Sequence, residues 1–274
     1  MRDHDGPLRV VVTGASSGLG EAIAREYARR CAVQGRALVI GVLARRATQL
    51  DALVAVMQGG DASVQVVPMP LDVCQRDALA TAAAAFIAAH GAPDVVVANA
   101  GVSVGTLTGE PGDATEFKRV VATNLCAMHD TFAGFLPAMR DAGAGVLVGI
   151  ASVAGFRGLP GAGAYSASKA GAMAYLESLR VELHREPIAV VTIAPGYVRT
   201  PMTQGNPYPM PFLIDADVFA RRAVDAIERR RRFVVIPWQM GVVGSILRIL
   251  PRPLYDALFA RAPRKPRRGV VAEP

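Results

Sequence analysis

The residues best placed for chemistry are Ser152, Tyr165, thirteen positions later, and Lys169, four after that. A free tyrosine titrates near ~10, so one that gives or takes a proton at neutral pH needs a positive charge close by. Residues four apart on a helix lie one turn above the other on the same face, which sets the Lys169 ammonium and the Tyr165 hydroxyl beside the same bound molecule. Lysine occurs only at Lys118, Lys169 and Lys265 in this arginine-rich chain, so its use at position 169 is a departure from the chain's habit. Ser152 follows the strand-like Val146 to Ala151 and can bring another hydroxyl to that spot. Such chemistry points to proton transfer on a substrate oxygen.

A second group of residues prepares a place for phosphate. Val11-Val-Thr-Gly-Ala-Ser-Ser-Gly-Leu-Gly20 passes from a strand straight into a helix beginning near Glu21. Gly14 permits the tight turn, Gly18 lets backbone approach a pyrophosphate, and Gly20 permits close packing of helix on strand. The helix N-terminus offers unpaired N–H groups and the positive end of a dipole. The spacing is Gly-x-x-x-Gly-x-Gly, a variant of the commoner Gly-x-Gly-x-x-Gly.

These residues need a scaffold, and short apolar runs alternating with helical patterns supply one. Strands are expected at Leu8–Thr13, Ala37–Leu43, Val64–Val67, Asp94–Ala98, Gly145–Ala151, Ile188–Ile193 and Phe233–Ile236, with helices between them, of which the alanine-rich Ala78–Ala89 is the clearest. This order predicts an α/β fold: a single Rossmann-type, doubly wound parallel sheet of about seven strands with helices on both faces. At 274 residues the chain can bury one full core, so residues 1–260 are read as a single catalytic domain and 261–274 as a basic, disordered tail. Past Pro195 the pattern loosens into proline-rich Pro201–Pro211, read as a loop or lid whose continuation offers Tyr208, Met210, Phe212, Leu213 and Ile214 as an apolar lining.

Composition narrows the class. The three cysteines, Cys31, Cys74 and Cys126, are odd in number and widely spaced, which argues against a disulfide framework or zinc site and for a reducing cytoplasm. Met1–Pro7 is short and polar, unlike a signal peptide. The uncharged stretch Phe233–Leu247 is too short to span a bilayer. The net charge of +7 is concentrated in Arg229–Arg232 and in the tail from Arg261; without interleaved aromatics it reads as solvated charge and not as a nucleic-acid surface. The apolar stretches Trp238–Leu250 and Leu254–Ala260, carrying Arg248 and Arg252 and followed by the basic tail, could lie in a lipid headgroup layer, pack on the protein's own core or meet another subunit.

Gly14 to Gly18 and Gly101 to Gly105 also match Gly-x-Ser-x-Gly, the turn of an α/β-hydrolase nucleophile. The first lies too near the N-terminus for a preceding strand to supply an oxyanion donor. The second runs into a loop at Thr106–Gly112. The downstream histidines, His129 and His184, fall in helix-like stretches, so a hydrolase is disfavoured.

With the turn at Thr13–Gly20, Asn99-Ala-Gly101, Asn124, Ser152, Tyr165-x-x-x-Lys169 and Pro195-Gly196 all present in order, the chain resembles the short-chain dehydrogenase/reductase family over about residues 8 to 200. The resemblance implies that Tyr165 is the general acid/base and that Ser152 holds the substrate oxygen. Lys169 would bind the nicotinamide ribose and lower the tyrosine pKa, and Asn124 would support a water-linked proton relay. It also implies cofactor contacts from Gly14, Ser16, Ser17, Gly18, Leu19 and Gly20, from Asp72 and Val73 near the adenine, and from Asn99, Ala100 and Gly101 along the dinucleotide. Pro195, Gly196, Val198 and Thr200 would meet the nicotinamide end. Asp72 has a competing reading as the N-cap of a helix beginning near Cys74. No metal is expected. Relatives are dimers or tetramers built on the helix that carries the tyrosine, so a homo-oligomer is expected.

Leu43-Ala-Arg-Arg46 ends the second strand, where an NAD site places a carboxylate for the ribose hydroxyls and an NADP site admits the 2′-phosphate beside arginine. No acidic residue lies between Glu26 and Asp51, so NADP(H) is expected, with Arg45 and Arg46 as its phosphate contacts. The expected activity is interconversion of a carbonyl and a secondary alcohol on a small, apolar or lipid-like molecule. A non-catalytic NADP(H)-binding regulator on the same fold is the other reading; its mark would be a missing member of the set Asn124, Ser152, Tyr165 and Lys169, and all are present.

Overall fold

The computed structural model describes residues 6–59, 63–206 and 208–267. Its strands are β1 (Leu8–Thr13), β2 (Leu38–Ala44), β3 (Val64–Pro70), β4 (Val95–Ala98), β5 (Gly145–Ile150), β6 (Ile188–Pro195), the short β7 (Val198–Arg199) and β8 (Ile214–Asp215), and β9 (Phe233–Ile236). The helices are α1 (Gly18–Gln34), α2 (Ala47–Gln58), α3 (Arg76–His90), α4 (Asp113–Val121), α5 (Ala127–Asp141), α6 (Gly163–Glu182), α7 (Ala216–Glu228), α8 (Trp238–Ile249) and α9 (Arg252–Phe259).

Seven strands form one sheet in the order β3-β2-β1-β4-β5-β6-β9, and every pairing in it is parallel. Alternate residues of each buried strand feed opposite faces. Val10 and Val12 join Ile23, Phe219 and Val224 in one core, while Val11 between them joins Phe86, Phe132 and Leu176 in the other. Helices α1, α2 and α7 cover the first face and α3, α5 and α6 the second, as a doubly wound sheet requires. Chain order reverses between β1 and β4, so a crevice opens beyond the carboxyl ends of these strands, the place where such sheets take ligands.

Several expected boundaries moved. α1 begins at Gly18, and β3 continues to Pro70, two residues of which are themselves proline; the strand is at the sheet edge, where missing donors are tolerated. The β7–β8 pair was not foreseen. Its Val198↔Ile214 pairing closes the base of the proline-rich excursion. Pro207 of that excursion lies outside the described residues. Phe212, expected as lining, is half exposed.

The tail also departs from expectation. Residues 261–267 do not run free: the Gly105 N–H donates to the Pro266 carbonyl (2.9 Å), and Arg267 pairs with Glu110 (3.0 Å) and Asp113 (2.9 Å). The rest of the expected tail, residues 268–274, lies outside the described residues. Among the described residues, no helix is long and apolar enough to cross a membrane. α8 and α9 bury Met240, Gly244 and Tyr255 against the body but leave Trp238, Val242, Ile246, Ile249, Leu254 and Leu258 exposed.

Candidate active site

The crevice is walled by the glycine turn after β1, the end of β2, the loop after β3, the Asn99–Val102 segment after β4, Ser152 after β5, Tyr165 and Lys169 on α6, and Pro195–Thr203 after β6. It brings together Gly14, Ser16, Ser17, Gly18, Leu19, Arg45, Arg46, Asp72, Val73, Asn99, Ala100, Gly101, Ser152, Tyr165, Lys169, Pro195, Gly196, Val198 and Thr200. Gly20 and Asn124 stand behind its surface and shape it.

Gly14 and Gly18 both adopt the left-handed conformation (φ 69° and 61°), which favours glycine. A side chain at Gly14 would come within 2.8 Å of the Ala100 Cα, and one at Gly20 would run into the Gly14 carbonyl oxygen. The turn is clasped by a residue of the motif to which the sequence assigned no role. Thr13, 1 % exposed, accepts with its hydroxyl from the Asn99 and Ala100 N–H groups, both at 3.0 Å. The Asn99 amide returns a bond to the Thr13 carbonyl (2.9 Å). Strand β1 and the β4 loop are thus one rigid floor. A threonine ending a buried strand just before the glycine turn was the available signal.

At the end of β2, Arg46 donates to the Ser16 and Ser17 hydroxyls (3.0 and 2.9 Å). Ser17 precedes α1 without capping it, so its hydroxyl serves Arg46 instead. Arg45 lies 3.8 Å from Asp72. Asp72 accepts from the Cys74 N–H (3.0 Å), but α3 starts only at Arg76 after Gln75. Asp72 therefore stabilises the turn before the helix and is not its N-cap.

Asn124 sits on a π-helical turn, Ala122–Cys126, between α4 and α5, in which the Ala127 N–H reaches back to the Ala122 carbonyl. Such turns re-aim side chains within otherwise regular helices. The Asn124 side chain accepts from the Val102 N–H (2.8 Å) and donates to the Val102 carbonyl and the Ser168 hydroxyl (both 3.0 Å). It ties the β4 loop to α6. Ser168, missed by motif reading, in turn donates to the Tyr165 carbonyl (2.8 Å).

Ser152 accepts from the Ala154 N–H (3.2 Å), which leaves its own proton for the Tyr165 oxygen. Lys169 is 3 % exposed and donates to the Ile150 carbonyl (2.7 Å), with its nitrogen 5.9 Å from the Tyr165 ring centre. One expectation is corrected here. Burial holds the Tyr165 hydroxyl above the ordinary phenol range, against the smaller lowering effect of the Ser152 hydrogen bond. The ammonium does not outweigh it, because Lys169 points to Ile150 and is itself pulled down to about 8 by burial. Among the described residues, neither serine of the hydrolase-like sequences has a histidine bonded to it: Ser16 takes Arg46, and Ser103 takes Lys265 at 2.8 Å.

A family model for short chain dehydrogenases matches residues 9–208. An uncharacterized oxidoreductase of Myxococcus xanthus is 39% identical over 92% of this chain and 96% of its own. Among solved structures, the alcohol dehydrogenase of the archaeon Thermococcus sibiricus, complexed with 5-hydroxy-NADP, is 25% identical with a TM-score of 0.72, covering 83% of this chain and 95% of its own. A short chain dehydrogenase/reductase of Burkholderia phymatum in complex with NAD shares the fold at 22% identity and a TM-score of 0.77, over 97% and 99% of the two chains. The chain belongs to the short-chain dehydrogenase/reductase family. It is an oxidoreductase.

Proposed function

We propose that this oxidoreductase interconverts a carbonyl and a secondary alcohol with NADP(H), and that Tyr165, Ser152, Lys169 and Asn124 carry the chemistry. The observation that carries the reading is the convergence of the Ser152 hydroxyl on Tyr165, with the buried Lys169 ammonium one turn further along α6. The residues present suit a dinucleotide: the glycine turn leaves no side chain in its path, and two arginines and two serine hydroxyls stand where a phosphate would lie. When bound, the nicotinamide supplies the hydride.

The protein's own part is to hold and neutralise the substrate oxygen. Ser152 and Tyr165 donate to that oxygen as charge builds on it, and Tyr165 gives up its proton. Tyr165 is protonated at neutral pH, the form that donates to a nascent alkoxide. Lys169 would hold the ribose hydroxyls, and a proton passed from its ammonium, itself restored from water, would return Tyr165 to the phenol. Asn124 keeps Lys169, Tyr165 and the β4 loop in register.

NADP(H) is favoured by the pairing of Arg46 with Ser16 and Ser17 and by Arg45 beside it, with no carboxylate between Glu26 and Asp51 to accept from a ribose hydroxyl. The Thermococcus sibiricus relative bound to an NADP derivative agrees. Met202 borders the crevice, which suits an apolar substrate body. The described residues as far as Arg267 act as one catalytic domain, in a cytoplasmic homo-oligomer, and the exposed apolar row on α8 and α9, set beside Arg248 and Arg252, meets an anionic lipid surface.

The test is Tyr165→Phe, assayed against a panel of ketones and aldehydes with NADPH. Turnover should fall at least about a thousandfold while NADPH affinity persists, since only the transferable proton is lost. Retention of most activity with any reducible substrate would refute the mechanism.

A further inference from the structure

One cation near the reacting tyrosine has no part in the chemistry above, and it arrives from the far end of the chain. Beyond α9 the backbone crosses the rim of the site and pairs with the β4 loop through Gly105 and Arg267. A side chain at Gly105 would collide with the Lys265 and Pro266 carbonyls, so the close crossing depends on that glycine. Arg267 then pins the crossing to Glu110 and Asp113. Asp113 also accepts from the Leu107 N–H at 2.7 Å, which fixes the receiving loop.

Between these anchors Lys265 turns inward. Its ammonium donates to the Ser103 hydroxyl at 2.8 Å and stands 6.0 Å from the Tyr165 ring centre. Ser103 is a firm support, because both backbone groups of the preceding Val102 are bound by Asn124. The nearest carboxylates on the receiving loop, Glu110 and Asp113, are both taken by Arg267. No carboxylate among the described residues pairs with Lys265, and partial burial holds its ammonium below the usual lysine range. An ammonium has three donors; one meets Ser103, and the others have no carboxylate to meet on the Tyr165 side. A partly desolvated cation without a counter-charge is unfavourable until an anion completes it.

We propose that Lys265 is the substrate-recognition cation of this enzyme, pairing with a carboxylate on the carbonyl substrate, a few bonds from the reacting carbon. The inference rests on the reading of the site as a carbonyl reductase. Position sets the class of substrate: the acid group meets Lys265, the carbonyl meets Ser152 and Tyr165 a short way off, and the rest of the molecule extends toward Met202. The substrate is then an oxo acid with an apolar body, amphiphilic rather than uniformly apolar.

Matched aliphatic oxo acids and their methyl esters, with the carbonyl moved stepwise along the chain, separate the possibilities when NADPH oxidation is followed with the full-length protein. The best acid should exceed its ester in kcat/KM by on the order of tenfold or more, the worth of a charge-assisted hydrogen bond. Lys265→Met should collapse that acid-to-ester ratio toward unity through the KM of the acid, and Lys265→Arg should restore part of it. NADPH binding, read by its fluorescence, reports whether each variant retains its site. Turnover of the esters with no preference for acids, or a preference that survives Lys265→Met, would overturn the inference alone. NADPH binding without turnover of either series would overturn it together with the carbonyl-reductase reading.

Discussion

Replacing Lys169 with methionine should abolish activity and yet make the cofactor-free protein more stable at neutral pH. The side chain is 3 % exposed, it makes its hydrogen bond to the Ile150 carbonyl, and burial pulls its pKa from 10.5 to about 8. A cation whose folded pKa is depressed binds protons more tightly when unfolded, so below the folded value it costs stability, and the cost disappears as pH rises toward the unfolded value. At ~1.4 kcal/mol per unit, the shift costs about 3 kcal/mol at pH ~7.5 and roughly half that at pH ~9.5. Methionine has similar length and no charge, and it forfeits the bond to Ile150, worth about 1 kcal/mol. Lys169→Met should therefore gain about 2 kcal/mol at the lower pH and almost nothing at the higher. Urea unfolding of both proteins at the two pH values measures the gap and cancels groups common to both, including the buried tyrosines. A variant less stable than the wild type at pH ~7.5, or a gap that ignores pH, would show that the lysine charge is not desolvated as described.

Arg45→Ala combined with Arg46→Ala should raise the Kd for NADPH by on the order of tenfold or more and leave NADH nearly unaffected; a wild-type preference for NADH would refute the NADP(H) assignment. Thr13→Val keeps the shape but leaves the Asn99 and Ala100 N–H groups without their acceptor, so unfolding free energy should drop by roughly 2–4 kcal/mol and NADPH affinity with it; an unchanged denaturation midpoint would sink the clasp. The full-length protein should sediment with anionic vesicles at low salt and lose that binding with Ile246→Asp and Ile249→Asp; absence of sedimentation would assign the α8–α9 face to another subunit.

The strands were legible because a parallel sheet buried on both faces needs continuous apolar runs, as in Val10-Val-Val12 and Val95-Val-Val97. The cofactor residues were legible because their constraint is local: Gly14 must reach a positive φ within its own turn. What escaped depends on contacts across the chain. The β7–β8 pair is too short for any periodicity and forms only because Val198 and Ile214 meet across the lid. Lys265 and Arg267 read as tail charges, since their partners Ser103, Glu110 and Asp113 lie about 150 residues away. The sign of the Tyr165 shift escaped too. Helix spacing brings lysine and tyrosine near, but says nothing of how deeply both are buried.

The π-helical turn that holds Asn124 has a consequence for how far this helix can be redesigned. An α-helix advances about 100° per residue, and the extra residue in Ala122–Cys126 absorbs one such step between α4 and α5. Deleting a residue there would restore an unbroken helix, but it would turn everything beyond by about the same angle relative to α4. Phe132, Phe135 and Met139, now fully buried against the sheet, would swing off it, or Asn124 would leave Val102. The irregular turn is a phase shifter: it lets the amphipathic stripe before it and the one after it both face inward while a polar side chain points at the site between them.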